Sequence, residues 1–281
     1  MSKINLFNFK RRRFAVLSAV LFAASLFFAQ ACAKKNNDDD KTITLAVIKF
    51  KVYEDTAKAW AKEVEKLGYK LNLQLVGVVQ LNEVLERREV FANYHQHTAF
   101  LREWNRLHKG HLAQAFPVFI DRAGLFSLRH KKIEDLPVGA KILVPPDIGN
   151  NFRTFKMLAN AGLIKIRTDI PAESVGQGDI IDNPKKFNFV EVDYEIIERT
   201  LEEADAGFMY ATQAVNIGLD FSKDVLLSEE EGFWSPDIIT VHEEDLNSPK
   251  IEILKKAYYT DSVKQAMKDS FDGKEIVLPA W

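Results

Sequence analysis

Residues 42–79 read TITLAVIKFKVYEDTAKAWAKEVEKLGYKLNLQLVGVV and decide the fold. Residues 42–49 are rich in β-branched and aliphatic side chains, which predicts a strand. Apolar residues then recur at helical spacing over residues 55–67, and Gly68 ends the predicted helix. Residues 71–79 repeat the strand signal. A strand, a helix and a second strand in this order predict a parallel sheet covered by helices.

The alternation of strands and helices continues along the chain, restarts near residue 141, and ends in two helices. We therefore expect an α/β fold of two lobes, joined by two crossings, with a ligand cleft between them. A predicted strand at residues 237–241 returns the chain to the first lobe. The expected boundaries are residues 42–127 plus 238–281 for lobe 1, and residues 128–237 for lobe 2.

The composition excludes several classes of function. The 281 residues include 38 Lys and Arg against 40 Asp and Glu, a formal net charge of -2, so we expect no nucleic-acid partner. The one cysteine excludes an intramolecular disulfide and any site built from several thiolates. The sequence has no His-Glu-x-x-His motif, phosphate loop or Gly-x-Ser-x-Gly elbow, so we predict no enzyme activity and no cofactor.

The first residues have the layout of a secretion signal. A basic cluster at 10–13 precedes an apolar run at 14–29, and Ala29-Gln30-Ala31 leads into Cys32. This segment resembles the leader of bacterial lipoproteins, which implies cleavage after residue 31 and lipid attachment at Cys32, so that the chain is anchored to a membrane of the cell envelope. An uncleaved membrane helix is the alternative, because the apolar run is just short of the roughly 20 residues that span a bilayer.

The residues after the cysteine are polar. Residues 32–41 form the lipid-attachment site and a flexible tether, since the run AKKNNDDDK at 33–41 offers almost no apolar surface to a core. In lipoproteins of this kind an aspartate directly after the cysteine favours retention in the inner membrane. Ala33 stands there instead, which leaves sorting to the outer membrane open.

Three segments together resemble one known family. They are VFANYHQH at 90–97, the run from Asp-Leu-Pro through Gly-Ala-Lys to Ala-Gly-Leu-Ile at 135–164, and NPKKFNFVEVD at 183–193. Their order and spacing look like the NlpA family of lipoproteins, over about residues 42–281. The resemblance implies a periplasmic-binding-protein fold and the binding component of an ABC importer. It also implies a permease as partner and methionine, a related amino acid or a small peptide as ligand.

The resemblance further implies that aromatic rings and an arginine hold a small zwitterion between the lobes. We assign the arginine to Arg153, near a helix start whose N–H groups address the same carboxylate; a solvated surface charge is the alternative. Tyr94 offers a flat face for stacking. His97 offers a hydrogen-bond donor, and Asn93 lies beside it near the end of a strand.

Three positions depart from the family's pattern, and at one of them His95 stands where methionine binders usually carry a phenylalanine. Tyr210 and Asp237 stand where methionine binders usually carry asparagines that help hold the amino and carboxylate groups of the ligand. We expect Asp237 to pair with an ammonium group and Tyr210 to fill volume and offer a hydroxyl. The cleft is then retuned away from methionine or binds it poorly. Packing or capping roles for both residues are the alternative.

Two further interpretations remain open. His95 and His97 stand two residues apart on a strand and could hold a metal, but no carboxylate or thiol lies at ligand spacing nearby, so we predict no metal site. The alternative function is an outer-membrane surface lipoprotein of the same fold, with an envelope or adhesion role and weak or no ligand binding.

Overall fold

The computed structural model describes residues 41–171, 174–230 and 235–281, with residues 194 and 195 described by backbone alone. The expected leader, Cys32 and nearly all of the tether lie outside these residues. Residues 41–281 form one compact unit. Within the described ranges no helix combines the length and the apolar run that a bilayer crossing requires.

The strands form two large sheets and two small ribbons. They are β1 (Thr42–Ile48), β2 (Lys70–Val76), β3 (Ala92–His97), β4 (Leu112–Pro117), β5 (Phe119–Asp121), β6 (Ala123–Phe126), β7 (Lys141–Val144), β8 (Lys165–Ile166), β9 (Ile180–Asp182), β10 (Asn188–Glu191), β11 (Ala206–Tyr210), β12 (Val225–Ser228), β13 (Asp237–His242) and β14 (Val277–Pro279). The first sheet has the order β2-β1-β3-β13-β4 and the second β10-β7-β11-β6-β12. The ribbons pair β14 with β5 and β8 with β9.

The helices lie between the strands, as the alternation predicts. They are α1 (Lys51–Lys66), α2 (Val78–Glu86), α3 (Thr98–His108), α4 (Ile148–Asn160), α5 (Tyr194–Thr200), α6 (Ala211–Asn216), α7 (Phe221–Asp224), α8 (Pro249–Tyr258) and α9 (Asp261–Asp269). In α1 the buried residues include Ala57, Trp60 and Val64, which are three and four apart and therefore share one face. The Trp60 indole donates to the Leu254 carbonyl at 2.9 Å and so joins α1 to α8.

Both large sheets are mixed, and in each of them three parallel strands are followed by one antiparallel strand. Strand β1 is parallel to β2 and β3, as the strand-helix-strand pattern predicts. Strand β13 carries the chain back from the second sheet and lies antiparallel between β3 and β4. In the second sheet, β7 is parallel to β10 and β11, while β6 is antiparallel to β11. The fold is thus mixed α/β with two lobes.

The strand pairing corrects the expected lobe boundaries. We expected residues 42–127 in lobe 1, but β6 pairs with β11 and β12 of the second sheet. Asp237, expected at the end of lobe 2, begins β13 and pairs with His97 of the first sheet. A turn signal marks the end of a strand but not the sheet to which that strand belongs. We therefore propose crossings near residue 122 and before residue 237.

The start of α4 is fixed by a local cap that also brings it to the cleft. The Asp147 carboxylate accepts a hydrogen bond from the backbone N–H of Asn150 at 3.0 Å, which satisfies one of the donors left unpaired at a helix start. At the other end Gly162 has φ 72°, the left-handed conformation that the sequence predicts after this helix. The buried face of α4 includes Arg153.

Candidate ligand-binding site

A cleft lies between the two sheets and takes its walls from both. Its empty volume, with the open mouth included, is about 520 Å³. The lining residues are Ile48, Phe50, Tyr53, Val78, His95, Gln96, His97, Phe100 and Asp237 from lobe 1, Asn150, Tyr210, Thr212 and Gln213 from lobe 2, and Asp121 near the first crossing. A molecule held here contacts both lobes and therefore favours the arrangement in which they approach each other.

Strand β3 reaches the cleft through a bulge. Gln96 pairs with Ile238 of β13 and Tyr94 pairs with the next residue, Ile239, so His95 is an extra residue without a partner on β13. A bulge of this kind re-aims side chains and interrupts the strict alternation of a strand. The bulge explains why His95, Gln96 and His97 all line the cleft although they are consecutive.

His95 lines the cleft, although the sequence suggested no ligand contact for it other than with a metal. Neither of its ring nitrogens has a hydrogen-bond partner among the described residues. Burial, with a smaller contribution from His97, lowers the pKa of His95 to about 3. The neutral ring therefore offers one donor and one acceptor to a bound molecule. An unpaired buried imidazole is costly, and a ligand would relieve that cost.

His97 joins the two lobes at the cleft. Its Nδ1 accepts from the backbone N–H of Phe100 at 3.3 Å, which caps α3, and its Nε2 lies 3.1 Å from the Asn150 amide oxygen. Because Nδ1 is an acceptor, the proton of the neutral ring is on Nε2 and is donated to Asn150. Burial and the positive charge of Arg153 lower the pKa of His97 to about 3. The Nε2–H group, which we expected to donate to a ligand carboxylate, thus already donates to Asn150 within the protein.

Two carboxyl groups give the cleft its charge. Asp237 is buried and accepts a short hydrogen bond from the Tyr53 hydroxyl. Burial raises the pKa of Asp237 to about 6, although Tyr53 and Arg153 act in the opposite direction. Asp121 accepts from the Thr212 hydroxyl at 2.5 Å. Burial raises the pKa of Asp121 to about 7, with a further contribution from Asp237. Near neutral pH these groups can pair with a cation.

Arg153 does not reach the cleft wall, which corrects the predicted carboxylate contact. Its Nε and Nη2 each donate to a Glu229 oxygen at 2.6 Å, and its Nη1 donates to the Tyr210 hydroxyl at 2.8 Å. Burial alone would lower the pKa of Arg153, but Tyr210 and Glu229 raise it above its ordinary value. The guanidinium borders a separate cavity with Lys156. The sequence could not reveal that a carboxylate 76 positions away pairs with this arginine.

Tyr210 lines the cleft, and its hydroxyl forms two hydrogen bonds within the protein. It donates to the Asn150 amide oxygen at 2.6 Å and accepts from Arg153. The Asn150 amide oxygen also accepts hydrogen bonds from His97 and Arg153, so it connects the side chains of Tyr210, His97 and Arg153. Asn150 is a residue that the sequence analysis missed. Its signal is the Asp147-x-x-Asn150 spacing of a helix cap, which places an amide at the helix start.

Tyr94 lies in the core, which corrects its predicted role as a stacking ring. The residue is 0% exposed. Its hydroxyl is 2.6 Å from the Tyr258 hydroxyl and 3.1 Å from the Thr56 hydroxyl, so its polar atom is satisfied within lobe 1. Rings do line the cleft, but they belong to other elements: Phe50, Tyr53 and Phe100.

Asn93 is also buried under the cleft and not on its wall. Its side-chain amide donates to the Leu81 carbonyl at 3.1 Å and to the Asn82 amide oxygen at 2.8 Å. Gln96 donates to the same Asn82 oxygen at 2.7 Å. Asn93 therefore fixes β3 against α2, and its predicted contact with a ligand is corrected to a supporting role.

Comparison with known proteins agrees with this architecture. The family model described as NlpA lipoprotein matches residues 40–281. A probable D-methionine-binding lipoprotein MetQ of Vibrio cholerae is 29% identical over 265 residues, covering 92% of this chain and 96% of the relative. A methionine-binding lipoprotein MetQ of Bacillus subtilis is 29% identical over 256 residues, covering 89% of this chain and 92% of the relative. These relatives are named as binding proteins and not as enzymes, in agreement with the absence of catalytic motifs.

Two solved structures of similar fold are also named as binding proteins. A periplasmic substrate-binding protein of an ABC transporter from Coxiella burnetii has a TM-score of 0.78 and 28% identity, covering 85% of this chain and 100% of that one. A nutrient binding protein from Burkholderia cenocepacia, solved bound to methionine, has a TM-score of 0.77 and 26% identity, covering 85% and 100%. With its two-lobe fold and a family match over nearly all described residues, this chain belongs to the NlpA lipoprotein family.

Proposed function

We propose that this protein is the substrate-binding lipoprotein of an ABC importer and that it holds a small metabolite through an ammonium group. The observation that carries the proposal is the pair of carboxyl groups, Asp121 and Asp237, on the walls of a cleft between two lobes. No Lys or Arg stands among the described residues that line the cleft. The nearby Arg153 is paired with Glu229. A positive group on the ligand therefore meets opposite charge in a site of low dielectric.

The ligand class follows from the relatives and from the walls. The MetQ relatives are named for methionine, which makes methionine and related amino acids the first compounds to consider. Phe50, Tyr53 and Phe100 offer apolar faces to an aliphatic or thioether side chain. His95 offers a donor and an acceptor for a further polar group. We infer an amino acid or a closely related amine, bound mainly through its amino group.

The mechanism is a clamp and involves no covalent chemistry. His97 of lobe 1 and Asn150 of lobe 2 already meet across the cleft at 3.1 Å. A ligand that contacts both walls adds binding free energy to the closed arrangement only, and so shifts the population toward it. The closed protein then presents its ligand to the permease. Release requires the walls to separate, which also breaks the contact between these two residues.

We also propose that Cys32 carries the lipid that anchors the protein. The basic cluster, apolar run and small residues before Cys32 support this. Labelling cells with a fatty-acid probe should modify the wild-type chain and leave the Cys32→Ser variant unmodified. Separation of the inner and outer membranes then tests the outer-membrane location suggested by Ala33. Labelling that persists in Cys32→Ser would contradict the assignment.

A second candidate function is a surface lipoprotein with weak or no ligand binding. The Tyr210 hydroxyl favours it, because this group occupies the N–H of Arg153 that an amino acid carboxylate would otherwise use. Thermal shift and calorimetry of residues 41–281 against the amino acids and their decarboxylated amines separate the two functions. Stabilisation by an amino-bearing compound supports the importer function. No stabilisation by any of them contradicts it and favours the surface role.

A further inference from the structure

A second cluster of chemically active side chains lies at the end of lobe 1 away from the cleft. Glu86 ends α2, His111 directly precedes β4, and His242 ends β13. One donor atom from each of these residues lies within 4.8 Å of the others. Asp237 and His242 occupy opposite ends of β13, about 17 Å apart at the usual rise of a strand. The cluster is therefore separate from the ligand cleft.

The backbone holds these three side chains in place. His242 pairs with Leu112, the residue after His111, in the β13–β4 register. The backbone N–H of Glu243 donates to the His111 carbonyl at 2.8 Å. The Glu86 carboxylate accepts from the backbone N–H of His111 at 2.9 Å, and its other oxygen is 2.8 Å from the His111 Nδ1. The carboxylate and the first imidazole are thus fixed on one rigid edge.

The two imidazoles face each other. The rings of His111 and His242 are stacked with centroids 5.9 Å apart and planes 24° from parallel. The side chain of His111 is 58% exposed and that of Glu86 is 26% exposed. Solvent therefore reaches the cluster, and an incoming ion can keep a water in an open position.

The surroundings favour positive charge. Glu243, Glu244 and Asp245 follow His242 directly. Arg88 pairs with Asp245 at 3.1 Å and with Glu244 at 3.5 Å, and Arg87 pairs with Glu83 and Glu89. With Glu86 included, the acidic groups outnumber these two arginines, so the local field favours a divalent ion.

We propose that Glu86, His111 and His242 form a binding site for a divalent transition-metal ion, with Zn²⁺ the ion that fits the donor set best. Two imidazoles and one carboxylate are typical ligands of Zn²⁺. Bonds of about 2.1 Å place two donors of a tetrahedral site about 3.4 Å apart. The donor atoms already lie within 4.8 Å of one another, which is close to that spacing. A water occupies the fourth position.

A bound ion would connect three elements that are distant in sequence. It would join the end of α2, the start of β4 and the end of β13, and so stabilise the edge of the first sheet. Because the ion binds the folded arrangement only, it raises the melting temperature, and the rise grows with the logarithm of the free ion concentration once that concentration exceeds Kd. The cleft at the other end of β13 is not needed for this effect, and the inference does not depend on the proposed ligand.

The test uses residues 41–281, the compact unit that contains every described helix and strand, without a histidine tag and after treatment with a chelator. Titration calorimetry with Zn²⁺ should show one ion per chain, and Co²⁺ should give the visible absorption of a four-coordinate ion. His242→Ala and His111→Ala should each weaken Zn²⁺ binding about tenfold or more. Glu86→Gln should weaken it as well.

The matched control is His108→Gln, because His108 is an exposed histidine on α3 outside the cluster. This variant should bind Zn²⁺ like the wild type. Circular dichroism of the metal-free variants confirms that each is folded before titration. Absence of saturable Zn²⁺ binding in the wild type would overturn the proposal. So would a His242→Ala variant that binds Zn²⁺ as tightly as the wild type and keeps the Co²⁺ absorption.

Discussion

Arg153 and Glu229 form a buried bidentate ion pair, with both nitrogen–oxygen distances at 2.6 Å and side chains only 7% and 3% exposed. The pair joins α4 to the residue that follows β12. The charge of Arg153 opposes the rise that burial causes in the pKa of Asp121 and Asp237. Its bonds to Glu229 hold the guanidinium behind the cleft wall, so the charged groups that a ligand meets are the two carboxyl groups. This pairing decides the polarity of the ligand we propose.

Glu229→Gln should strongly destabilise the fold. The substitution keeps the shape of the side chain but leaves the Arg153 charge buried without its partner, which costs about 3–5 kcal/mol in the free energy of unfolding. Urea denaturation measures this change. The control is Asp169→Asn, which breaks the exposed Arg167–Asp169 pair and should leave stability near the wild-type value. Equal stability of Glu229→Gln and wild type would show that the pair is not buried in solution.

Tyr94→Phe should lower stability and leave ligand binding unchanged. The hydroxyl of Tyr94 bonds with Thr56 and Tyr258 inside the core, so its loss should cost about 1 kcal/mol in the free energy of unfolding. Calorimetry with an amino-bearing ligand supplies the second measurement. A variant with normal stability and weakened binding would return Tyr94 to the cleft wall.

His95→Gln should change how stability depends on pH. Folding lowers the pKa of His95 from 6.5 to about 3, so below pH 6.5 the unfolded chain takes up a proton that the folded chain does not. The free energy of unfolding therefore falls on acidification by about 1.4 kcal/mol per pH unit from this residue. Between about pH 7 and about pH 5, the wild type should lose about 2 kcal/mol more than His95→Gln.

The raised pKa values of Asp121 and Asp237 act in the opposite direction, because the folded chain then holds protons that the unfolded chain releases. Both proteins share these carboxyl groups, so the difference between the two proteins isolates His95. Denaturation at the two pH values checks the prediction. If both proteins lose the same free energy on acidification, the imidazole is not held neutral in the folded protein.

Tyr210→Asn should shift preference toward ligands with a carboxylate. In the wild type the Tyr210 hydroxyl holds the Arg153 Nη1, so the amine 3-(methylsulfanyl)propylamine should bind at least as tightly as methionine. The shorter asparagine exposes that N–H. A charge-assisted hydrogen bond of about 1.5–3 kcal/mol then favours methionine about tenfold or more.

Tyr210→Phe is the control for this prediction, since it removes the hydroxyl but keeps the ring, whose centroid lies 4.9 Å from the guanidinium carbon. Tyr210→Phe should not gain the preference for methionine over the amine. Calorimetry with both compounds measures the ratio of affinities for each protein. An unchanged ratio in Tyr210→Asn would mean that Arg153 remains out of reach of the ligand.

Much of the fold could be predicted from the sequence because hydrophobic periodicity reports local structure directly. The spacing of apolar side chains and the positions of residues that end helices and strands predict three observed features. They are the helix at Pro249–Tyr258, the strand at Asp237–His242 and the positive φ of Gly162. The same signals do not predict that β6 belongs to the second sheet. The pairing of strands depends on contacts between residues distant in sequence. The four residues of β6 alone do not indicate which strand lies beside them.

The site was less predictable for the same physical reason. Three of the predicted residues, His97, Tyr210 and Asp237, line the cleft. The two others on β3, Asn93 and Tyr94, were misplaced because they were expected at the end of a strand, whereas β3 continues to His97 and both lie inside it. Arg153 was misplaced because its partner is far along the chain. A sequence motif identifies polar groups near a cleft but not which of them bond to each other.

The most direct test of the proposed ammonium site is native mass spectrometry of the protein purified from cells without refolding, compared with Asp237→Asn. We predict that the wild type carries a small metabolite with an amino group. Loss of the carboxylate should weaken its binding about 10- to 100-fold, so the variant should be empty. A co-purified ligand that lacks an amino group, or an Asp237→Asn variant with wild-type occupancy, would contradict the assignment.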